Sequence, residues 1–235
     1  MRYFELKIDL TLKSQIPFQK SLEPISKLIS TAIMNSPLKS VHIMNGFKHY
    51  VFSNFVDISP DKIYKPGKNS FIFRTSREDL AMEVAKSLFG YEDKIFKIEG
   101  ISSEEVSLKN VNFLVTVNPT VLSFVKDGKR WYWTINMDGD LSFVLRSLNG
   151  NLLKKYEEYF GEKPDFDDIF IEHFQIKNQK PIVCIYKGAK IFGNKFYIVP
   201  KRDKISQRLA FLAMSEGLGE KNSLGFGYCK GFGRW

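Results

Sequence analysis

Three histidines, His42, His49 and His173, are the side chains of this chain that can both take up and release a proton near neutral pH. His42 and His49 lie seven residues apart with Lys48 between them, so two proton carriers and a cation fall in one short segment. His42 reads as a loop histidine. His49, flanked by Lys48 and Tyr50, alternates onto one face of a strand, where it contacts a partner or sits in solvent. His173, inside Ile171-Glu-His-Phe-Gln175, lies mid-strand and reads as structural.

A second chemical feature is the run Gly217-Leu218-Gly219-Glu220-Lys221-Asn222-Ser223-Leu224-Gly225-Phe226-Gly227, with four glycines in eleven residues. Such a backbone adopts positive φ, approaches a partner without Cβ atoms and offers amide N–H groups to phosphate oxygens, and Lys221 adds a cation. It is no nucleotide-binding loop of the usual kinds. No Gly-Lys-Ser/Thr opens a helix, and a glycine loop between a helix and a following strand is inverted relative to a dinucleotide fold. Composition alone fits a plain flexible turn as well as an RNA-backbone cradle.

Positive charge is the third. Lys plus Arg exceed Asp plus Glu by 35 − 26 = 9, and the sequence pI is near 9.3. A surplus of this size favours a polyanion through phosphate neutralisation and counterion release. Lys187, Lys190, Lys195, Lys201, Arg202, Lys204 and Arg208 concentrate it on the last hairpin and the start of the final helix, beside the glycine run. Taken singly, each is a solvated surface cation.

Other chemistries find no support. Cys184 and Cys229 cannot build a disulfide framework, no spaced Cys/His set holds zinc, and Asp165–Asp168 reads as a solvated loop. Neither a metal nor a cofactor is expected, and two free thiols suit a reducing compartment. With 43% hydrophobic and 26% charged residues the chain is neither disordered nor fibrous. No run approaches the roughly 20 apolar residues of a membrane span. A cytoplasmic protein is expected.

These residues need elements to position them. Phe4, Leu6, Ile8 and Leu10 alternate with polar residues, predicting a strand rather than a signal peptide. Leu22, Ile25, Leu28, Ile29, Ala32 and Ile33 predict a helix over Ser21–Met34, with Pro24 in its first turn. Strands over Phe47–Phe55 and Ser70–Arg74 follow, then a helix opened by a Ser76-x-x-Asp79 capping box and stopped by Gly90, then a strand over Lys94–Ile98. The order is β-α-β-β-α-β.

After a linker near Gly100–Glu104 the second half begins with a strand in Val106–Val117 and a hairpin, Leu122–Lys126 and Arg130–Ile135, turning at Asp127-Gly128. Trp131 and Trp133 share one face of it and read as core packing. A long helix carries Leu141, Val144, Leu145, Leu148, Leu152, Tyr156 and Phe160, with Gly150 as a costly interior residue and a possible kink. Strands over Ile169–Lys177, Ile182–Ile191 and Lys195–Val199, a helix with Ile205, Leu209, Leu212 and Ala213, and a strand over Leu224–Lys230 complete it. The fold class is therefore α+β, with two tandem ferredoxin-like domains over residues 1–100 and 101–235.

The Gly217–Gly227 run, at a helix-to-strand junction near the C-terminus, resembles the glycine-rich signature of the CRISPR repeat-processing endoribonucleases, within the repeat-associated RNA-binding superfamily built on ferredoxin-like domains. The resemblance implies a metal-independent enzyme that binds CRISPR precursor RNA and cuts each repeat once. The RNA's own 2′-hydroxyl attacks the adjacent phosphate, leaving a 2′,3′-cyclic phosphate and a 5′-hydroxyl. It also implies a base, an acid and a cation on the phosphorane.

In that family the catalytic histidine follows helix one, with a lysine a few residues on. Ser36–Ser53 fits, which makes His42 the general acid/base, Lys48 the phosphate-charge stabiliser and His49 the rival histidine. Leu28–Ile33 carries no tyrosine where many members have one, leaving Ser30, or Tyr50 if its strand turns it inward, as substitutes. RNA contacts are implied for Gly217, Gly219, Lys221, Asn222, Ser223, Gly225 and Gly227, joined by the basic group Lys201, Arg202, Lys204 and Arg208. The implied partners are CRISPR repeat RNA and a CRISPR effector complex, with the protein a monomer or homodimer. The other reading is a non-catalytic RNA-binding subunit of the same superfamily.

Overall fold

Alternation in the first twelve residues requires a strand with one apolar face. In the computed structural model, which describes residues 1–107, 110–136 and 140–233, that strand is β1 (Arg2–Leu12), with Phe4, Leu6, Ile8, Leu10 and Leu12 buried. It is followed by β2 (Ile16–Pro17), α1 (Leu22–Met34), α2 (Lys39–Ile43), β3 (Tyr50–Phe52), β4 (Ile63–Tyr64), β5 (Gly67–Thr75), α3 (Glu78–Leu88) and β6 (Phe96–Ser107). The main sheet has the order β3-β5-β1-β6, antiparallel throughout. The apolar stripe expected of the first helix is the face α1 buries, and α3 adds Leu80, Ala81, Val84 and Leu88 to the same core.

The second half contains β7 (Phe113–Thr116), β8 (Ser123–Lys126), β9 (Lys129–Tyr132), α4 (Leu141–Phe160), β10 (Ile171–Ile176), β11 (Ile182–Tyr186), β12 (Ala189–Gly193), β13 (Phe196–Pro200), α5 (Lys204–Glu216) and β14 (Cys229–Phe232). Its sheet runs β10-β13-β7-β14. In both halves the first strand lies between the third and fourth and the second strand takes an edge, so both are ferredoxin-like. The β8–β9 hairpin turns at Asp127-Gly128, both at positive φ, as expected. Among the described residues no helix is long and apolar enough to cross a membrane.

Several expectations change. Gly100–Glu104 is no linker: it lies within β6, which pairs with β1 as far as Arg2↔Ser107. The capping box does not form. Arg77 occupies the cap position without a side-chain cap, and the Ser76 hydroxyl donates to Glu216 Oε1 at 2.6 Å. The single strand over Ile182–Ile191 is a hairpin, folded at Lys187-Gly188, again both at positive φ. The strand over Val106–Val117 is realised as β7, residues 108–109 lying outside the described ones, and Leu224 belongs to a short 3₁₀ turn ahead of β14. Trp133 is buried as expected, whereas Trp131 is 49% exposed. α4 runs unbroken through Gly150.

One core lies in each half, but their membership crosses over. Val121, Cys184, Ile191 and Phe226, all from the second half, belong to the core of the first. The β11–β12 hairpin and the Phe226 end of the glycine-rich segment are thus built into the N-terminal unit, while Leu218 at the start of that segment belongs to the core of the second.

Candidate active site

The glycine-rich segment runs along the seam between the halves. Lys155, 1% exposed on α4, donates to Glu216 O at 3.2 Å, Gly217 O at 2.6 Å and Asn222 Oδ1 at 2.8 Å, fixing the start of the segment. Burial pushes its ammonium down to about 8, against the pull of Glu216. Asn118 takes the far side, donating to Phe52 O at 3.0 Å and Gly225 O at 2.6 Å, while its Oδ1 accepts from the Asn54 N–H at 3.1 Å.

The glycines themselves face protein. All four have positive φ and are buried. A Cβ on Gly225 would lie 2.5 Å from the Phe52 ring and one on Gly219 2.6 Å from Val121 O. A close approach is indeed what the glycines permit, but the surface approached is the N-terminal sheet and the β7–β8 connection. The partly exposed arc is Glu220–Leu224, which presents Lys221, Asn222 and Ser223.

His42 and Lys48 come together. His42 sits on the single turn of α2, half-buried, and Lys48 Nζ donates to its carbonyl oxygen. Burial, Lys48 and Lys187 together hold the His42 imidazole below its ordinary pKa, and burial likewise lowers Lys48. His42 Nδ1 is buried with no hydrogen-bond partner among the described residues.

His49 is placed differently. It adopts φ 54°, its Nδ1 lies 3.2 Å from Glu216 Oε2 and its Nε2 3.1 Å from Glu158 Oε2. Burial disfavours its charge, yet the hydrogen bond and charge of Glu216, with Glu158, raise its pKa above the ordinary value. Both nitrogens are engaged by carboxylates, from α4 and α5, which ties His49 into the seam. His173 is exposed on β10.

Lys48, His49 and Tyr50 line one cleft of about 290 Å³ with Lys155, Glu158 and the Gly219–Ser223 backbone. Tyr50 is turned inward and 2% exposed. A phenol that sequence reading did not find reaches helix one from elsewhere: Tyr186 OH, at the tip of β11, lies 3.1 Å from Ser26 Oγ on α1. Its neighbour Lys187 is anchored by a backbone N–H to Glu23 Oε2 at 2.9 Å. An apolar run broken by a Lys-Gly turn was the available signal.

The basic group at the start of α5 is not beside the glycine segment. Lys204 and Glu216 are the two ends of α5, about 18 Å apart at 1.5 Å per residue. Lys201 pairs with Asp168, Arg202 Nη1 donates to Asn112 Oδ1 at 2.7 Å, and Arg208 Nη1 donates to Tyr156 OH at 2.9 Å. Lys204 is exposed.

A family model described as "CRISPR associated protein Cas6, C-terminal" matches residues 102–230. The chain belongs to the Cas6 family. It is 27% identical over 237 residues to the CRISPR-associated endoribonuclease Cas6 2 of Methanocaldococcus jannaschii, covering 95% of this chain and 97% of that relative. A solved structure described as "CRISPR associated protein Cas6" aligns with a TM-score of 0.73 at 20% identity, over 98% of this chain and 100% of its own. Another, "An RAMP protein binding different RNA substrates", aligns at 0.74 and 20% identity over the same shares. The fold is that of Cas6 proteins, and the repeat-processing family the glycine run resembles is the family found.

Proposed function

We propose that this Cas6 protein is a metal-independent endoribonuclease that binds CRISPR repeat RNA in the seam and cuts it once per repeat. The observation that carries this reading is the pairing of a half-buried histidine, held below its ordinary pKa, with Lys48, which donates to its carbonyl oxygen and itself lines the cleft of Lys221, Asn222 and Ser223. A neutral His42 Nε2 takes the proton of the 2′-hydroxyl as that oxygen bonds to phosphorus. Lys48 faces the charge of the phosphorane, and its lowered pKa makes it the proton source for the departing 5′-oxygen. The ends left are a 2′,3′-cyclic phosphate and a 5′-hydroxyl. Named relatives include an endoribonuclease and a protein that binds different RNA substrates, which supports both halves of the proposal.

The absence of a tyrosine from Leu28–Ile33 favours the competing reading, an RNA-binding protein that does not cut. One experiment separates them. Wild type should cleave labelled repeat RNA in EDTA and fail on RNA with a 2′-deoxy at the scissile nucleotide. His42→Ala should keep affinity and lower the single-turnover rate roughly 100- to 10,000-fold. Wild type that binds the repeat and never cuts it would establish the non-catalytic reading.

A further inference from the structure

Glycine is a poor choice inside a helix unless space or backbone geometry demands it. Gly150 has neither excuse within the protein. α4 is regular there, φ is not positive, and nothing beyond the adjoining residues and backbone of its own helix lies within 4 Å of where its Cβ would be. The space it leaves is instead the floor of a cavity of about 380 Å³ walled by Phe47, Arg146, Lys154 and Gly219. This cavity shares Phe47, Asn151, Gly219 and Glu220 with the cleft that holds Lys48, so the two are one continuous groove.

The groove is dressed for a polar ligand. Ser147, Gly150, Asn151 and Lys154 recur at i, i+3, i+4 and i+7, which stacks them on one face of α4. Asn151 Oδ1 is buried and has no hydrogen-bond partner among the described residues. Buried acceptors are rarely left so, and this one belongs to a side chain that lines both cavities. Arg146 and Lys154 are exposed on either side of it, Arg146 meeting Asp140 only at 3.8 Å with both side chains largely in solvent. Glu220, the carboxylate in the wall, is occupied by the Ser123 N–H and hydroxyl at 2.7 to 2.9 Å.

We propose that this face of α4 is a nucleotide-binding subsite for the single-stranded RNA that leads away from the scissile phosphate. A base stacks on Phe47, the Asn151 side-chain amide meets a base edge or a ribose 2′-hydroxyl, and Arg146 and Lys154 neutralise phosphates. Gly150 is kept at a cost in helix stability because any side chain there would fill the groove. The proposal rests on the RNA-cutting reading and extends it along α4, past Gly219 and Glu220, to a face that His42 does not line.

Gly150→Leu tests it directly, since leucine is a good helix former. The expected result is a thermal midpoint equal to or above wild type with at least tenfold weaker binding of repeat RNA. An RNA trimmed to the nucleotides at the cut should bind both proteins alike. A stabler protein with unchanged affinity for the long RNA overturns the subsite. Should Gly150→Leu fold poorly, Arg146→Ala with Lys154→Ala leaves both cores untouched. That pair should flatten the logarithmic salt slope of binding by about 1.4, at roughly 0.7 per phosphate contact, and Asn151→Ala should weaken binding to the long RNA alone. An unchanged slope rejects the subsite. Wild type that binds no repeat RNA rejects the functional reading itself, a result distinct from both.

Discussion

A histidine that takes a proton from a hydroxyl must be neutral when the substrate arrives, and a cation that faces a phosphorane must be charged. His42 and Lys48 are tuned in those directions, because burial and two lysines depress the imidazole while Lys48, depressed by burial alone, starts from a much higher value. The single-turnover rate should therefore rise with pH through a midpoint below 6.5, hold a plateau across neutrality, and fall again below 10.5 as Lys48 loses its proton. Lys187→Ala should move the acidic limb up toward the ordinary histidine value, since one of the charges that depress His42 is gone. A rate that instead falls through the histidine midpoint would make His42 the acid and reverse the assignment of the two proton transfers. His49 is expected to contribute no limb, since Glu158 and Glu216 already occupy its nitrogens.

At the level of elements, the glycine segment is where sequence reasoning and structure part most usefully. The sequence suggests glycines facing RNA, so that substitution would harm binding more than folding. The structure reverses the order for Gly225, whose missing Cβ would press on Phe52 and whose φ of 89° strains any other residue. Gly225→Val should lower the urea midpoint by an amount equivalent to roughly 2 kcal/mol or more, with near-normal RNA affinity in the fraction that remains folded. Intact stability with lost affinity would restore the cradle. What was legible follows from periodicity: the stripes of α1 and α4 and the alternation of β1 each bury one face, and the two β-α-β-β-α-β orders came from them. The outer half of β6, Ser102–Ser107, was missed because it is a polar edge partner of β1 with almost no buried face. The β11–β12 hairpin was missed because Lys187-Gly188 turns in the middle of an apolar run without Asn or Asp to mark it. The pairing of His42 with Lys48 was legible only through family resemblance, and Tyr186 not at all, since it meets Ser26 across 160 residues of chain.

The whole molecule depends on a polar seam, and polar seams respond to pH. Arg74, 6% exposed, pairs with Glu5, donates to Cys229 O at 2.8 Å and stacks its guanidinium 4.6 Å from the Tyr228 ring, tying β5 to the last strand. The Arg74 guanidinium stays charged at every accessible pH. His49 and Lys155 do not, and they titrate in opposite senses. The folded pKa of His49 is raised, so its ion pairs with Glu158 and Glu216 stabilise fully below the unfolded value of 6.5 and are lost as pH rises through the folded one. Lys155 has a folded pKa of about 8 against 10.5 unfolded, so the cost of burying its charge persists below 8 and is relieved between 8 and 10.5. Together these predict a shallow minimum in unfolding free energy near pH 8, with stability higher on both sides. Urea denaturation from pH 6 to pH 10 measures it. His49→Gln should abolish the fall on the acidic side and leave the alkaline rise, because only the imidazole titrates there. An acidic-side fall that survives in His49→Gln would assign the proton to another group and deprive the seam of its histidine switch.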